Sequence, residues 1–383
     1  ARAPAVRSRF ASVMRLVAFS LLALTLVSTA DAQRRAPPHV DDRAVMAEQP
    51  APFLHHYRFF SDVRMREPNP RVTPYALNTE LYSDGALKFR YVYIPRGSQA
   101  RYSADDVFEF PVGTVLIKTF AFAADMRRPT ENVRFLETRL LIRRAEGWIA
   151  LPYVWNEEQT EARLSVIGAN VPVSFTNEEG AAIALDWSVP NVNQCRGCHA
   201  RAGGNEMLPI GPSARNLNRT VETSHNVWED GASTIVIENQ LEVWTNARLL
   251  SGLSPDAPRV PDAYNTSAPI AERARAYLDV NCAHCHNPAG PAHTSGLDLS
   301  WSQTDPALWG VLKRPVAAGR GSAGFDFSIE PGHPERSILL HRMQSTDPGV
   351  MMPELGRTLV DERAVALMRD WIAGMDENGR AQN

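Results

Sequence analysis

All four cysteines of the 383-residue chain fall in one pattern, Cys195-Arg-Gly-Cys198-His199 and Cys282-Ala-His-Cys285-His286. The chain has 10 His, so a His directly after both Cys-x-x-Cys pairs has random odds of about one in 1,500. A haem c needs this spacing. It is held by two thioether bonds, one per vinyl group, and two intervening residues set the sulfurs about one helical turn apart. The next residue then presents its imidazole to the iron. A zinc site would use the same atoms but wants a second ligand pair at a finger-like interval, whereas 83 residues separate Cys198 from Cys282. A thioredoxin-like pair needs no following His and sits in a βαβ context. Two structural disulfides would suit an oxidising compartment. The spacing predicts two haem c groups, attached at Cys195 and Cys198 and at Cys282 and Cys285, with His199 and His286 as axial iron ligands.

The elements around the second motif read clearly. The stretch 271–280 predicts a helix, with Ala274, Tyr277 and Leu278 on one face. A second amphipathic helix follows Asp361 as N-cap and carries the stripe Val365, Met368, Trp371, Ile372 and Met375, ending at Gly374. Between them stands "GVMMPELG". Met352 abuts Pro353 and lies 66 residues beyond His286, enough chain to wrap one haem. A thioether is a soft ligand, and Met/His ligation suits an electron carrier. Met352 is therefore the expected sixth ligand of the second haem, with Met351 next. His284, His293, His333 and His341 are read as surface or structural residues.

The first motif sits in a different context. Pro190 stands five residues before Cys195 and disfavours a regular helix leading into the cysteines. The loop after His199 is rich in Gly and Pro. A helix is expected through "ENQLEVWTNARLL", burying Leu241, Trp244 and Leu249, with Gly252 as terminator. For the sixth ligand of this haem the sequence leaves Met207, His225, an open position, or a ligand from another domain.

Upstream, the hydrophobic period is two. "LKFRYVYIP", "TVLIKTFAFA", "VRFLETRLLIRR", "WIALPYVW" and "ARLSVIG" predict strands, punctuated by Gly97, Gly113, Gly147 and Gly168. Several such strands argue an antiparallel sandwich or jelly-roll-like domain. His55 and His56 are read as surface residues. Trp155 and Trp187 are read as core. At the N-terminus, Arg2, Arg7, Arg9 and Arg15 precede the apolar run 16–27 and the small-residue site Ala30-Asp31-Ala32. This is the order of a secretory signal, cleaved after Ala32, and it predicts a periplasmic or otherwise exported protein. The apolar run is short for a membrane span and no other stretch approaches that length. The segment carries four Arg and one Asp, so its removal moves the formal charge from −3 to −6, which gives no electrostatic case for nucleic acid.

The expected organisation is multidomain. It comprises a signal peptide 1–32, a linker or lead-in 33–59, an all-β domain 60–188, a first haem c module 189–262 and a second haem c module 263–378. Helix, Cys-x-x-Cys-His, long wrap, Met-Pro and a helix ending in Trp-Ile resemble a class I cytochrome c domain. The order of β domain, "W…PN.NQC..CH", "PIGP.ARNLNR" and a second haem domain is similar to a family of largely uncharacterised bacterial secreted dihaem c-type cytochromes. The resemblance covers most of the mature chain and implies two mainly α haem modules and electron transfer, without a substrate. The first functional expectation is an exported carrier of electrons, with redox partner proteins the sequence does not name. A dihaem, peroxidase-like oxidoreductase is the second, with an open or weakly ligated first haem. A ligand-binding β domain fused to an electron relay is the third.

Overall fold

The computed structural model describes residues 39–62, 67–201, 206–226, 233–316 and 318–380. The expected signal segment and its cleavage site lie outside the described residues.

Strands β1 (Val72–Pro74), β2 (Leu87–Tyr93), β3 (Ala100–Arg101), β4 (Val115–Ala123), β5 (Val133–Arg144), β6 (Gly147–Trp155) and β7 (Ala162–Leu164) follow in chain order. All but β3 join one six-stranded antiparallel sheet, ordered β1-β2-β4-β5-β6-β7. The long strands are rich in β-branched, aromatic and Leu side chains and bury residues on both faces, as a sheet covered on both sides requires. One face is covered by the lead-in. A short helix α1 (Asp42–Met46) and a 3₁₀ turn, Leu54–Tyr57, bring Val45, Leu54, Tyr57 and Phe59 against Val115, Ile117, Leu140 and Ile142. The residues read as a lead-in thus supply part of the core.

The expected strand through "ARLSVIG" stops at Leu164. The chain turns at Gly168, whose φ is +79° and where a Cβ would stand 2.6 Å from the Val189 carbonyl oxygen, so only glycine fits. Strands β8 (Ala169–Thr176) and β9 (Ala182–Val189) form a separate antiparallel ribbon. Its Phe175 and Trp187 pack on Phe120 and Phe122 at the second face of the sheet.

The rest of that face is covered by the segment around the first motif. This segment comprises helix α2 (Val192–His199), helix α3 (Ala214–Leu217), the hairpin β10 (Thr220–Asn226) and β11 (Ser233–Asn239), and helix α4 (Gln240–Asn246). Leu217, Leu241 and Trp244 share a core with Leu77, Val92, Phe108 and Leu116. The helix expected to run on to Gly252 ends at Asn246. Beyond it, strand β12 (Leu250–Ser251) pairs in parallel with β3. Backbone pairing to another element wins there over local helical propensity.

The last segment has its own core. Helices α5 (Ile270–Asn281), α6 (Pro306–Trp309), α7 (Ile338–Gln344) and α8 (Glu362–Ala373) surround a core of Tyr277, Leu278, Leu340, Val365, Met368, Trp371 and Ile372, joined by Met375 just past α8, with the half-buried Trp309 of α6 packed against it. Asp361 caps α8 by accepting the Ala364 N–H at 3.1 Å, and Gly374 is its C-cap. Among the described residues no helix is long and apolar enough to cross a membrane.

The loop 78–84 of the sheet holds these parts in place. Thr79 and Asn216 exchange hydrogen bonds of 2.9 and 3.0 Å. The Tyr82 N–H donates to Asn281 Oδ1 at 2.7 Å, and Asp84 accepts the Thr358 and Leu359 N–H groups at 2.7 and 2.6 Å.

Candidate functional site

The first motif lies inside a helix. Asn191 follows Pro190 and caps α2. Its side chain accepts the Asn193 and Gln194 N–H groups at 3.0 and 2.8 Å, and Gln194 accepts the Asn191 N–H at 2.9 Å. As Pro190 implies, no helix leads into the motif: the chain arrives from β9, and α2 begins only at Val192 with the cysteines inside it. A proline constrains the residue before it, here Val189 in β9, and leaves the residues after it free to turn. Cys195 and Cys198 therefore sit one helical turn apart, and His199 closes the helix. The His199 Nδ1 lies 2.6 Å from the Leu208 carbonyl oxygen, which fixes the ring and leaves Nε2 as the nitrogen available to a ligand.

The second motif starts where a helix ends. Cys282 is the C-cap of α5, donating its N–H to the Leu278 carbonyl at 2.9 Å. The Cys285 and His286 N–H groups return to the Cys282 carbonyl at 3.1 and 2.9 Å. His286 Nδ1 lies 3.0 Å from Ser295 Oγ, again leaving Nε2. The Met352 N–H donates to the Arg342 carbonyl at 3.0 Å. Arg357 braces that loop by donating to the carbonyls of Met352, Met343 and Ser345 at 3.0, 3.2 and 2.8 Å.

The fold brings the two motifs together although Cys198 and Cys285 are 87 positions apart. Cys198 and Cys285 lie close enough for each to act on the other's ionisation, and His284 acts on Cys198 as well. Neighbouring Cys285 is the largest influence holding Cys198 well below the ordinary thiol range, and Cys198 in turn pushes Cys285 up. Burial raises Cys195 and pushes Cys282 up to about 12. All four cysteines are free of disulfides. Burial lowers His199 and His286 to about 4, so at neutral pH both rings are the uncharged form that can bind a metal. Among the described residues no group of three or more His, Cys, Asp or Glu converges as a metal-binding cluster.

Two clefts flank this meeting point. One of about 430 Å³ is lined by Cys198, His199, Ile210, Arg215, Asp279 and His284. The other, of about 290 Å³, is lined by Cys195, Cys198, His199 and His284, by Lys118, Arg139 and Trp187 of the sheet and ribbon, and by Pro353–Thr358. Arg215 crosses the first cleft to Asp279 at 2.8 Å. A Cβ on Gly197 would stand 3.5 Å from Leu355 Cδ1, so the loop after Met352 rests on the first motif's helix.

The residues named from sequence are placed unequally. Met207 forms a bridge with Ala200 and is buried in the core shared with Leu77 and Trp244, lining neither cleft. His225 falls in β10, and its side chain lies outside what the structure describes. Met352 is half-buried and directly precedes the cleft-lining Pro353. His284, read from sequence as a surface or structural residue, lines both clefts, and its Nδ1 is buried without a partner among the described residues. His55 and His56 are exposed. The cleft-facing cations Lys118 and Arg139 went unnoticed in the sequence. They stand on two adjacent strands, β4 and β5, and only a charge at an inward position of a buried strand would have marked them.

Comparison of the chain with family models, with curated proteins and with solved structures finds no match.

Proposed function

We propose that the chain is an exported dihaem c-type cytochrome that carries electrons through two covalently attached haems, with cytochrome c-like modules around each motif and a class I-like arrangement around the second. Under this reading the ribbon β8–β9 and the main sheet are the two layers of a sandwich-like front domain. The observation that carries the reading is that Cys198 and His199 of the first motif share both clefts with His284 of the second. It sets the two attachment motifs side by side, where two bound macrocycles exchange electrons without a diffusing intermediate. The donor set fits. Four unbridged thiols stand in two pairs, and each following imidazole is half-buried, uncharged at neutral pH and held by Nδ1. When bound, haem c supplies one-electron chemistry at iron. The chain's own residues orient the imidazoles and position Met352 through Arg357.

A second reading, a dihaem oxidoreductase, draws on the first motif alone. Among the described residues no methionine lines either cleft beside His199, and the other imidazole that lines both is His284. Ligation by His284 makes the first haem a second carrier, whereas an iron left open at that position can bind a small molecule.

One experiment tests both. The chain is produced in a host that attaches haem c, haem per chain is counted, and the ferric protein is examined by optical and electron-spin spectroscopy. Two haems, both low-spin, support the carrier. One high-spin haem moves the oxidoreductase first. No covalent haem overturns the proposal.

A further inference from the structure

Three cations stand directly opposite one another across the sheet. The register pairs Arg90 of β2 with Lys118 of β4, and Lys118 with Arg139 of β5. Lys88 is on the same face of β2. Like charges at directly opposed positions repel, and burial sharpens the penalty. Two carboxylates offset part of the row. Glu80 accepts Arg90 at 2.6 Å and lies 3.5 Å from Lys88. Glu137 accepts Arg139 Nε and Nη2 at 2.6 and 2.9 Å, and Trp187 Nε1 at 3.1 Å.

The central residue is left over. Lys118 has no carboxylate partner among the described residues. Its ammonium lies 4.7 Å from the Phe120 ring centroid, and Arg139 lies 4.5 Å from the same ring. Arg90 Nη2 is likewise buried without a partner. Burial first, and then Arg90, Lys88 and Arg139, hold Lys118 well below the usual lysine range. Four basic side chains face two carboxylates here, so the row can accept two more negative charges. Asp84 and Glu354 line the same cleft, but Asp84 is engaged by two backbone N–H groups and Glu354 lies 3.9 Å from Arg342.

Lys118 and Arg139 open onto the cleft that contains Cys195, Cys198 and His199. Arg139 is the cation that acts on the two cysteines, and Lys118 and Arg90 lie one and two strands farther on, at about 4.8 Å per strand. We propose that Lys118 and Arg139, backed by Arg90 on the next strand, form a carboxylate-binding site on the sheet, and that it takes the propionates of the haem attached at Cys195 and Cys198. The inference rests on the haem reading above. A haem carries two carboxylates on the edge away from its vinyl groups, and they match both this number and the site's direction from the cysteines. The sheet is then part of the first haem's binding site, and Lys118 sets that haem's potential.

The test uses the haem-loaded protein with Lys118→Met and Lys118→Arg. Haem per chain is counted and both midpoint potentials are measured, each assigned with a Cys195→Ala/Cys198→Ala variant. Removing a positive charge beside the first haem disfavours its reduced form. Lys118→Met is expected to shift that haem's ferric/ferrous equilibrium about tenfold toward ferric, about 59 mV for one electron. The second haem stays unchanged, and Lys118→Arg restores the first. The unloaded Lys118→Met chain is expected to melt no lower than the unloaded parent, because it loses repulsion. Loss of the first haem alone from a still-folded Lys118→Met, with loading restored by Lys118→Arg, supports the site equally. Two haems with both potentials unmoved overturn it, as does a lowered melting temperature in the unloaded chain. No haem on the parent protein overturns the underlying reading instead.

Discussion

The same pentapeptide pattern is built twice in this molecule, in two different ways. Around Cys282 the chain supplies its own surroundings. A twelve-residue helix leads in, a second helix of equal length closes over it, and the two share one core with Trp371 at its centre. Around Cys195 the motif is itself the helix, only eight residues long, issuing from a strand and held at its start by Asn191. Its walls are borrowed from the sheet and from the loop after Met352. The pattern fixes which atoms can react and leaves the backbone around them to the neighbours. A self-contained site suits a carrier. A site walled by another layer takes its charge and its access from that layer.

The sharpest way to break this comparison is to remove each attachment pair. Cys282→Ala/Cys285→Ala and Cys195→Ala/Cys198→Ala should each reduce covalent haem from two per chain to one, read by intact mass and haem absorbance. Loss of both haems from either pair would show that the sites depend on each other. Next in size is Trp371→Ala, expected to cost about 3–5 kcal/mol by urea unfolding. It should impair loading of the second motif while the first, whose walls lie elsewhere, still loads.

Smaller effects sharpen the contrast. Asn191→Ala removes the cap of α2 and should cost about 1 kcal/mol, with the loss confined to loading at Cys195 and Cys198. The smallest concerns acid. Burial raises the Glu80 carboxyl, but Arg90 and Lys88 outweigh it and bring it to about 2 from an ordinary 4.5. A carboxylate depressed in the folded state stabilises above its unfolded pKa, and that contribution disappears as pH falls from 4.5 toward 2. Glu80→Gln should therefore show a shallower loss of melting temperature over that window. The carboxylate is 46% exposed, so solvent screening keeps the effect modest.

Much of the fold was legible one segment at a time. Helices α5 and α8 show the helical period with their caps, and β2, β4, β5 and β6 begin and end close to where the period of two begins and ends. The ribbon β8–β9 was not legible. Many of its residues are exposed, and its sequence includes Pro172 and a run of small and polar side chains. The end of α4 was misplaced because the pairing of Leu250 with Ala100 reaches across 150 positions. His284 reads as a spare histidine between two cysteines until the first motif is laid against it.

By itself the sequence determined the chemistry on offer, two Cys-x-x-Cys-His motifs and a Met-Pro downstream, because a short spacing on one backbone sets which atoms lie within a few ångströms. It also determined the local elements, because period and capping act over a few residues. Tertiary structure alone decided that Cys198 comes near Cys285, that Met207 faces a core, and that Arg90, Lys118 and Arg139 form a row. Each of these depends on sheet register or on helix docking. Those are fixed by burial summed over the whole chain, and no local stretch of residues encodes them.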